Sequence, residues 1–372
     1  MFNPSETETA DLTSNLTDFS TKNVALMLPY SLSSIKNDSV SNEADIIKNN
    51  RVLRISLDFY SGVLMAVEKA KALGISTNLK VYDTQQQPTR VQNLIMAGDF
   101  SGTDVVIGPL LQSTSEEAAS MLVSKNIPVI SPMTNRELKP LPNLYQARPS
   151  DDMLREAMIE YIAQHSQDKN VVIVADAASG GIRNKLVSAL PGAHIVGTAN
   201  HNISEATLNQ ALTAGRENWV IVETESVALL SSTISALNRI SRDKTITMFT
   251  TDKNHSYESD AISNEQLGNL KLHYPSEYRE FDENRSDEFV DAFKEKYGVI
   301  PNKYAVRGYD LTLDVLLRLA AMGSLEKSVS ENIVTQYVEN KFLYRPKPNG
   351  GFYNDAVYIM HLNPDLSLSP SN

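Results

Sequence analysis

The 372-residue chain contains no cysteine, which excludes disulfides, thiolate nucleophiles and cysteine metal sites and leaves the redox compartment open. No apolar run approaches the roughly 20 residues of a membrane-spanning helix, so we expect no direct membrane insertion. Residues 1–21 have neither a basic end nor an apolar stretch and do not form a signal peptide. We therefore expect that any export signal or lipid anchor is absent from this sequence.

A concentrated basic surface is also missing. The net charge of −11 is spread along the chain, which argues against nucleic acid or an anionic membrane as a partner. Hydrophobic residues make up 41% of the chain and charged residues 21%, as in ordinary globular proteins. Because 372 residues exceed what one hydrophobic core usually serves, the length predicts two domains.

The signatures of common enzymes are absent as well. No G-x-G-x-x-G follows a predicted strand and no G-x-S-x-G occurs, so neither a nucleotide cofactor nor a hydrolase site is indicated. Ser179-Gly180-Gly181 lacks the lysine and the spacing of a phosphate loop, and a tight turn explains it. The six histidines are scattered without an i,i+4 pair, which disfavours a zinc site. We expect no enzyme, no cofactor and no bound metal.

The chain does contain a repeated alternation of short apolar runs and amphipathic segments. The first run, 23–28, is closed by Pro29, which is typical of a buried parallel strand. After a polar loop at 31–50, residues 51–73 carry apolar side chains at three- and four-residue steps and predict a helix. Further strands are predicted at 79–82, 104–107, 128–130, 170–175, 194–198, 219–223 and 245–249, and further helices at 89–97, 115–124, 151–165, 182–190, 205–214 and 226–240.

Two such series, separated at Pro149, predict two α/β lobes, because strands that alternate with helices form right-handed β-α-β units and parallel sheets. The last third of the chain has a different pattern. It predicts a strand at 269–273, helices at 285–297, 304–322 and 331–339, and a hairpin at 352–361. These elements are too few for a third domain, so we expect the chain to cross between the lobes more than once.

Ligands of open parallel sheets bind beyond the carboxyl ends of the strands, so the residues that follow each predicted strand are the candidate site. At one such end, Ser113 and Ser115 lie where a helix begins, and its N-terminus would present N–H groups and a hydroxyl to a carboxylate. Alternatively, Ser115 only caps the helix, and both interpretations stay open. The other candidate ends are 29–31, 83–84, 108–110, 132–134, 176–177, 223–224 and 251–252.

Several short motifs follow one another over residues 23–362: Asp58-Phe-Tyr-Ser-Gly62, Tyr82-Asp83-Thr84, Val105-Val-Ile-Gly-Pro-Leu110, Asn126-Ile-Pro-Val-Ile-Ser-Pro132, Tyr145-Gln-Ala-Arg-Pro-Ser-Asp151, Gly308-Tyr309-Asp310 and Gly350-Gly351-Phe352. In this order and spacing the chain resembles type I periplasmic-binding proteins, a family that includes the branched-chain amino-acid receptors of ABC transporters. The polar leader and the long first loop are similar to those of divergent receptor-like domains of Bacteroidetes-type bacteria.

The resemblance implies two Rossmann-like parallel-sheet lobes joined by three crossovers around a ligand cleft. In the family's amino-acid receptors, a serine at the start of the third helix and a segment after the fourth strand hold the ligand carboxylate, which implies Ser113 and 132–134 here. An acidic residue of the second lobe holds the amino group, which implies Glu223 or Asp252. The predicted ligand-binding residues are Tyr30, Tyr82, Pro109, Leu110, Ser113, Met133, Thr134, Ser179, Glu223 and Asp252.

The expected organisation is a flexible leader at 1–22, an N-terminal lobe of 23–147 with about 274–325, a C-terminal lobe of 148–273 with about 326–362, and a tail at 363–372. We expect a monomeric solute-binding protein of the periplasm or cell envelope. It closes on a small polar ligand, an amino acid or a related compound, for ABC-type transport or sensing, with a membrane transporter or envelope protein as partner. The alternative is a ligand-free envelope interaction or cell-wall regulatory protein on the same fold, which the loop 31–50 and Met133 favour.

Overall fold

The computed structural model describes residues 9–32, 47–198, 202–279 and 287–371. The chain divides into two compact units, Met1–Ser150 with Glu280–Ala356 and Asp151–Arg279 with Val357–Asn372. Each unit has one seven-stranded sheet in which parallel pairs predominate, which confirms the predicted pair of α/β lobes. Among the described helices, none is long and apolar enough to cross a membrane.

The sheet of the first unit has short, mostly apolar strands, and alternate residues pack on its two faces. In β1, for example, Leu26 joins the hydrophobic core on one face and Met27 the core on the other. The strands are β1 (Lys22–Leu28), β2 (Thr77–Asp83), β3 (Val105–Ile107), β4 (Val129–Ser131), β5 (Leu144–Gln146), β13 (Tyr344–Pro346) and β14 (Phe352–Asn354). Their order is β13-β14-β5-β4-β3-β1-β2, with β13 and β14 antiparallel.

The helices of the first unit include a long pair in backbone contact. A Cβ atom at Gly62 would lie 1.9 Å from the Ala305 carbonyl oxygen, and one at Gly308 would lie 2.1 Å from that of Phe59. Both positions therefore require glycine. The helices are α1 (Arg51–Ala72), α2 (Pro88–Ala97), α3 (Gln112–Leu122), α9 (Glu288–Tyr297), α10 (Lys303–Met322) and α11 (Leu325–Ser330), and the short strands β11 (Thr335–Gln336) and β12 (Lys341–Phe342) form a separate hairpin.

The second unit repeats this arrangement. Val172 and Val174 pack on one face of its sheet and Ile173 and Ala175 on the other. The strands are β6 (Asn170–Ala175), β7 (His194–Val196), β8 (Asn218–Glu223), β9 (Ile246–Phe249), β10 (His273–Ser276), β15 (Tyr358–Leu362) and β16 (Leu368–Pro370), in the order β16-β15-β10-β9-β8-β6-β7. The helices are α4 (Asp151–His165), α5 (Gly180–Ala189), α6 (Glu205–Ala211), α7 (Val227–Ile240) and α8 (Asn264–Asn269).

The end of the chain differs from the sequence prediction. The hairpin predicted at 352–361 is wrong, because β14 pairs with β13 and β5 in the first sheet whereas β15 pairs with β10 and β16 in the second. Residues up to Ala356 belong to the first unit, although the prediction assigned 326–362 to the second lobe. The helix predicted at 331–339 is also wrong, since α11 ends at Ser330 and β11 follows.

The two predicted terminal segments are partly ordered. Within the leader, Leu12 is buried, and the N–H groups of Thr17 and Asp18 donate to the Ala320 carbonyl at 3.1 and 2.8 Å. In the predicted tail, β16 pairs with β15. These contacts give the polar segments backbone partners that composition alone does not predict. Residues 1–8 of the leader and 33–46 of the predicted loop lie outside the described residues.

Candidate functional site

The carboxyl edge of the first sheet brings Tyr30 beside Thr84. The backbone N–H groups of both residues donate to the Leu28 carbonyl at the end of β1, at 3.1 and 3.0 Å. The Tyr30 side chain is 6% exposed and that of Thr84 is 1% exposed. Among the described residues, neither hydroxyl has a hydrogen-bond partner. Because buried polar groups are normally satisfied, both hydroxyls are candidates for contacts to a ligand or to water.

Aromatic and apolar side chains, including the Tyr30 ring, pack at this edge. Burial raises the pKa of Tyr30, whose ring meets the edge of Tyr60 with a centroid distance of 6.2 Å. The Tyr82 ring stacks on Phe100 at 5.3 Å, and Leu110 is buried in the core of the first unit. Tyr82 and Leu110 therefore stabilise the edge, and their predicted ligand contacts stay predictions.

The helix at the third strand end begins earlier than predicted. α3 begins at Gln112, so Ser115 is its fourth residue, and the interpretation of Ser115 as the cap is wrong. The buried Ser115 hydroxyl instead donates to the Pro109 carbonyl at 2.6 Å. Ser113 lies exposed in the first turn of α3, where its contact with a ligand stays a prediction.

The segment after β4 is held from the protein side. The partly buried Met133 side chain packs against the core of the first unit. The Thr134 hydroxyl accepts the Arg136 N–H at 3.3 Å. The carbonyl oxygens of Pro132, Met133 and Thr134 each accept a hydrogen bond from a side chain. This segment is therefore ordered by hydrogen bonds from side chains of the first unit. The Met133 side chain has a packing role in the core of that unit.

The carboxyl edge of the second sheet contains a buried carboxylate. Glu223, the last residue of β8, is 5% exposed, and its carboxylate accepts the Thr251 N–H at 2.6 Å and the Thr251 hydroxyl at 3.0 Å. Burial raises the pKa of Glu223 to about 7. Within the described part of the chain, Glu223 forms no ion pair. A buried carboxylate without a cation is costly, so this position favours a cationic ligand group.

Two further acidic residues of this edge are held by their neighbours. Asp252 pairs with Arg155 at 2.7 Å, so its charge is already balanced in part. Asp176 accepts the N–H and the hydroxyl of Ser179 at 2.9 Å, together with the buried Thr224 hydroxyl. Of the two predicted ligands for an amino group, Glu223 thus has the stronger electrostatic need for a partner. The Asp176 carboxylate thus caps the turn that ends at Ser179, whereas Gly180 and Gly181, predicted to form part of a tight turn, begin α5.

Four neighbouring strands of the second sheet, β8, β9, β10 and β15, carry an aromatic row beside a pocket of about 320 Å³. Trp219, Phe249, His273 and His361 stack in succession with centroid distances of 4.5, 4.9 and 5.1 Å. His273 Nδ1 lies 2.6 Å from the Lys271 carbonyl, and burial lowers the pKa of His273 to about 4. No predicted ligand residue lines this pocket. Among the described residues, no group of three or more acidic or histidine side chains could hold a metal ion.

Comparison with known proteins identifies the family. The sequence profile of the family described as Periplasmic binding protein matches residues 55–331. The chain belongs to this family. This match and the two lobes, each with a mainly parallel sheet, confirm the predicted resemblance to type I periplasmic-binding proteins. No curated protein sequence matches the chain.

Two solved structures share the fold. One, from Rhodospirillum rubrum, is provisionally described as a branched-chain amino acid ABC transporter; it has a TM-score of 0.60 and 13% identity, with 94% of this chain and 100% of that chain covered. The other is a branched-chain amino acid ABC transporter periplasmic ligand-binding protein from Burkholderia xenovorans LB400, with a TM-score of 0.54, 13% identity and 94% of each chain covered.

Sequence reasoning missed Thr84 and Thr251 as individual candidates. Both lie within the candidate strand ends 83–84 and 251–252, but neither was among the predicted ligand-binding residues. Nothing in the sequence distinguishes the unpartnered Thr84 hydroxyl from the bonded Thr251 hydroxyl, because their partners come from other strands. Strand-end position alone therefore does not rank the side chains at an edge.

Proposed function

We propose that this protein is an extracytoplasmic solute receptor that binds a small polar ligand, an amino acid or a related compound, without changing it chemically. It acts as a monomer in the periplasm or cell envelope and delivers the solute to an ABC-type transporter or a sensor. Family membership over residues 55–331 supports solute binding. Two of the solved structures that share the fold are described as branched-chain amino acid ABC transporter proteins, which supports the solute class.

The observation that carries the proposal is the buried Glu223 carboxylate. It accepts hydrogen bonds from Thr251, but no cation within the described residues pairs with it. A ligand ammonium group would supply the missing charge and lower the pKa of Glu223 from about 7. The unpartnered hydroxyls of Tyr30 and Thr84 supply donors of the kind that a ligand carboxylate accepts. Each unit, taken by itself, thus offers groups of the kind that one charged end of an amino acid binds.

The test is a thermal-shift screen of the purified protein with single L-amino acids, short peptides, sugars and muropeptides. A bound solute raises the unfolding temperature, since about 100-fold excess over its Kd stabilises the folded state by about 2.7 kcal/mol. We expect at least one amino acid to produce a shift that Glu223→Gln abolishes. Glu117→Gln, a substitution on the same kind of side chain in α3, should leave the shift unchanged.

A lack of any shift at millimolar concentrations would contradict the proposed function. If an envelope enzyme then bound the intact protein in a direct binding assay, the ligand-free interaction role would replace it. A shift with sugars or muropeptides alone would keep solute binding and reject the amino-acid class.

A further inference from the structure

The pocket of about 320 Å³ in the second unit is separate from the candidate solute site. Every residue that lines it lies in 151–279 or 357–372, so the pocket is formed within this unit alone. Glu217 and Trp219 border it near the start of β8, whereas Glu223 ends that strand. At about 3.3 Å per residue, roughly 13 Å of strand separates Trp219 from Glu223. A ligand of this pocket is therefore not the ligand of Glu223.

Aromatic side chains form the apolar part of the pocket wall. Trp219 and Phe249 are 7% and 1% exposed, and their ring centroids lie 4.5 Å apart. The His273 ring stacks on Phe249 with 29° between the ring planes, and the His361 ring stacks on His273 with 20°. Cavities of about 300–1,000 Å³ that combine aromatic walls with a few polar groups are typical sites for small molecules. The size and the lining therefore suit a compound of one or two aromatic rings.

The carboxylate of the pocket wall is already balanced by the protein. Glu217 accepts the Trp219 indole N–H at 3.1 Å and the Thr247 hydroxyl at 2.9 Å. It also forms an ion pair with Lys169 at 2.6 Å. Glu223, in contrast, pairs with no cation among the described residues. Because the charge of Glu217 already has its partner, this pocket favours a neutral ligand over a cationic one.

The two histidines of the pocket wall differ in their hydrogen bonds. His361 uses both ring nitrogens, with Nε2 at 3.1 Å from the Asn363 side-chain oxygen and Nδ1 at 3.0 Å from the Ser371 hydroxyl. His273 uses only Nδ1, which donates to the Lys271 carbonyl at 2.6 Å. Burial lowers the pKa of His273 to about 4, so the neutral ring carries its single proton on Nδ1. His273 Nε2 is thus an acceptor without a partner among the described residues.

We propose that this pocket is a second small-molecule site, which binds a neutral aromatic compound whose N–H or O–H group donates to His273 Nε2. The rings supply apolar contact area, and the unpartnered nitrogen orients the ligand. A compound without a donor leaves that nitrogen unpaired on binding, which weakens its affinity. A carboxylate has only acceptors and forms no hydrogen bond with this nitrogen, so the pocket and the candidate solute site favour different ligands.

Trp219 is the only tryptophan of the chain, so tryptophan fluorescence of the intact protein reports directly on this pocket. Benzimidazole is a suitable probe, because it is planar, neutral at pH 8 and has one N–H group. We expect it to change the fluorescence with a Kd of about 1 mM, which is ordinary for so small a compound. In 1-methylbenzimidazole a methyl group replaces the hydrogen of the N–H, and this compound should bind about tenfold more weakly.

His273→Phe keeps a ring in the aromatic row and removes the acceptor. It should weaken the binding of benzimidazole about tenfold and leave that of 1-methylbenzimidazole unchanged, so that the two compounds become equal. His255→Phe, the same substitution at an exposed histidine that does not line the pocket, should preserve the preference for benzimidazole.

Equal affinities of the two compounds for the wild-type protein would overturn the proposal, and this comparison decides it even if His273→Phe folds poorly. An unchanged preference in a folded His273→Phe variant, or no fluorescence change at about 10 mM benzimidazole, would also overturn it. The measurement needs no amino acid, so failure of the protein to bind any amino acid would contradict the proposed function and leave this test intact.

Discussion

The carboxyl edges of the two sheets differ in charge and in how their polar groups are satisfied. The first edge has the buried hydroxyls of Tyr30 and Thr84, neither of which has a partner among the described residues. The second edge has the carboxylates of Asp176 and Glu223, which accept hydrogen bonds from threonines. Neutral donors suit an anionic group and a buried carboxylate suits a cation. Although the two lobes share one architecture, the first edge suits an anionic group and the second edge a cationic group.

Glu223→Gln should have the largest effect. The substitution keeps the acceptor for the Thr251 N–H and removes the charge that an ammonium group needs. We expect about 100-fold weaker binding, or about 2.7 kcal/mol, for the amino acid that gives the largest thermal shift. Calorimetry at pH 8 measures it. On the first edge, Tyr30→Phe should weaken binding of the same amino acid by no more than about tenfold. Equal losses of affinity in the two variants would contradict the expected difference between the edges.

Matched threonine substitutions compare the edges without any ligand. Thr84→Val removes a buried hydroxyl that has no described partner, so we expect the free energy of unfolding to rise by about 1 kcal/mol. Thr224→Val removes the donor to the buried Asp176 carboxylate and should lower that free energy by about 2 kcal/mol. Urea denaturation of both variants measures the difference. Changes of the same sign would show that the two edges are not satisfied differently.

His273, the first residue of β10, extends the comparison to a buried group away from the carboxyl edges. Its pKa is lowered from 6.5 to about 4, so the unfolded chain takes up a proton as the pH falls below 6.5 while the folded protein does not. Stability is therefore lost as the pH falls from 6.5 toward 4, by about 2 kcal/mol after allowance for partial exposure. Urea denaturation at pH 7 and pH 4.5 should show a smaller loss for His273→Phe than for the wild type. His255→Gln, which replaces an exposed ring, should leave the loss unchanged.

The pH dependence of binding should show the smallest effect. The pKa of Glu223 is raised to about 7, so its carboxyl group is largely protonated at pH 6 and largely ionised at pH 8. An ammonium-bearing solute prefers the ionised form, so affinity should increase roughly tenfold between these values. Without a ligand, stability changes with pH in the opposite direction. The pKa of Glu223 is higher in the folded than in the unfolded state, so the free energy of unfolding falls as the pH rises from 4.5 through 7. Calorimetry across this range measures the increase, and an equal increase in Glu223→Gln would assign it to another group.

Elements with strong local patterns could be predicted from the sequence. α4 and β6 span the predicted residues 151–165 and 170–175, because apolar periodicity and capping act within the segment itself. The predicted hairpin at 352–361 failed because β14 and β15 have the pattern of neighbouring strands but pair in different sheets. Two adjacent strands carry no local signal that tells which sheet each one joins.

The candidate site could likewise be predicted only in part. Strand ends could be located from the sequence, since apolar runs end where polar residues begin, and Glu223 was found by that rule. The satisfaction of each polar group could not be predicted. Ser115 was expected at a helix end, but its hydroxyl donates to Pro109 because α3 begins at Gln112. Whether a hydroxyl is free or bonded depends on atoms that belong to other elements.

The sequence by itself determined the alternation of strands and helices, the two-lobed α/β class and the family, because these follow from local periodicity and ordered motifs. Only the tertiary structure decided which strands share a sheet and which polar groups are partnered. The bond between Arg307 and Pro132 joins residues 175 positions apart, and the bond between Thr224 and Asp176 joins residues 48 apart. Hydrogen bonds act over about 3 Å in space, so a distance along the chain does not reveal them.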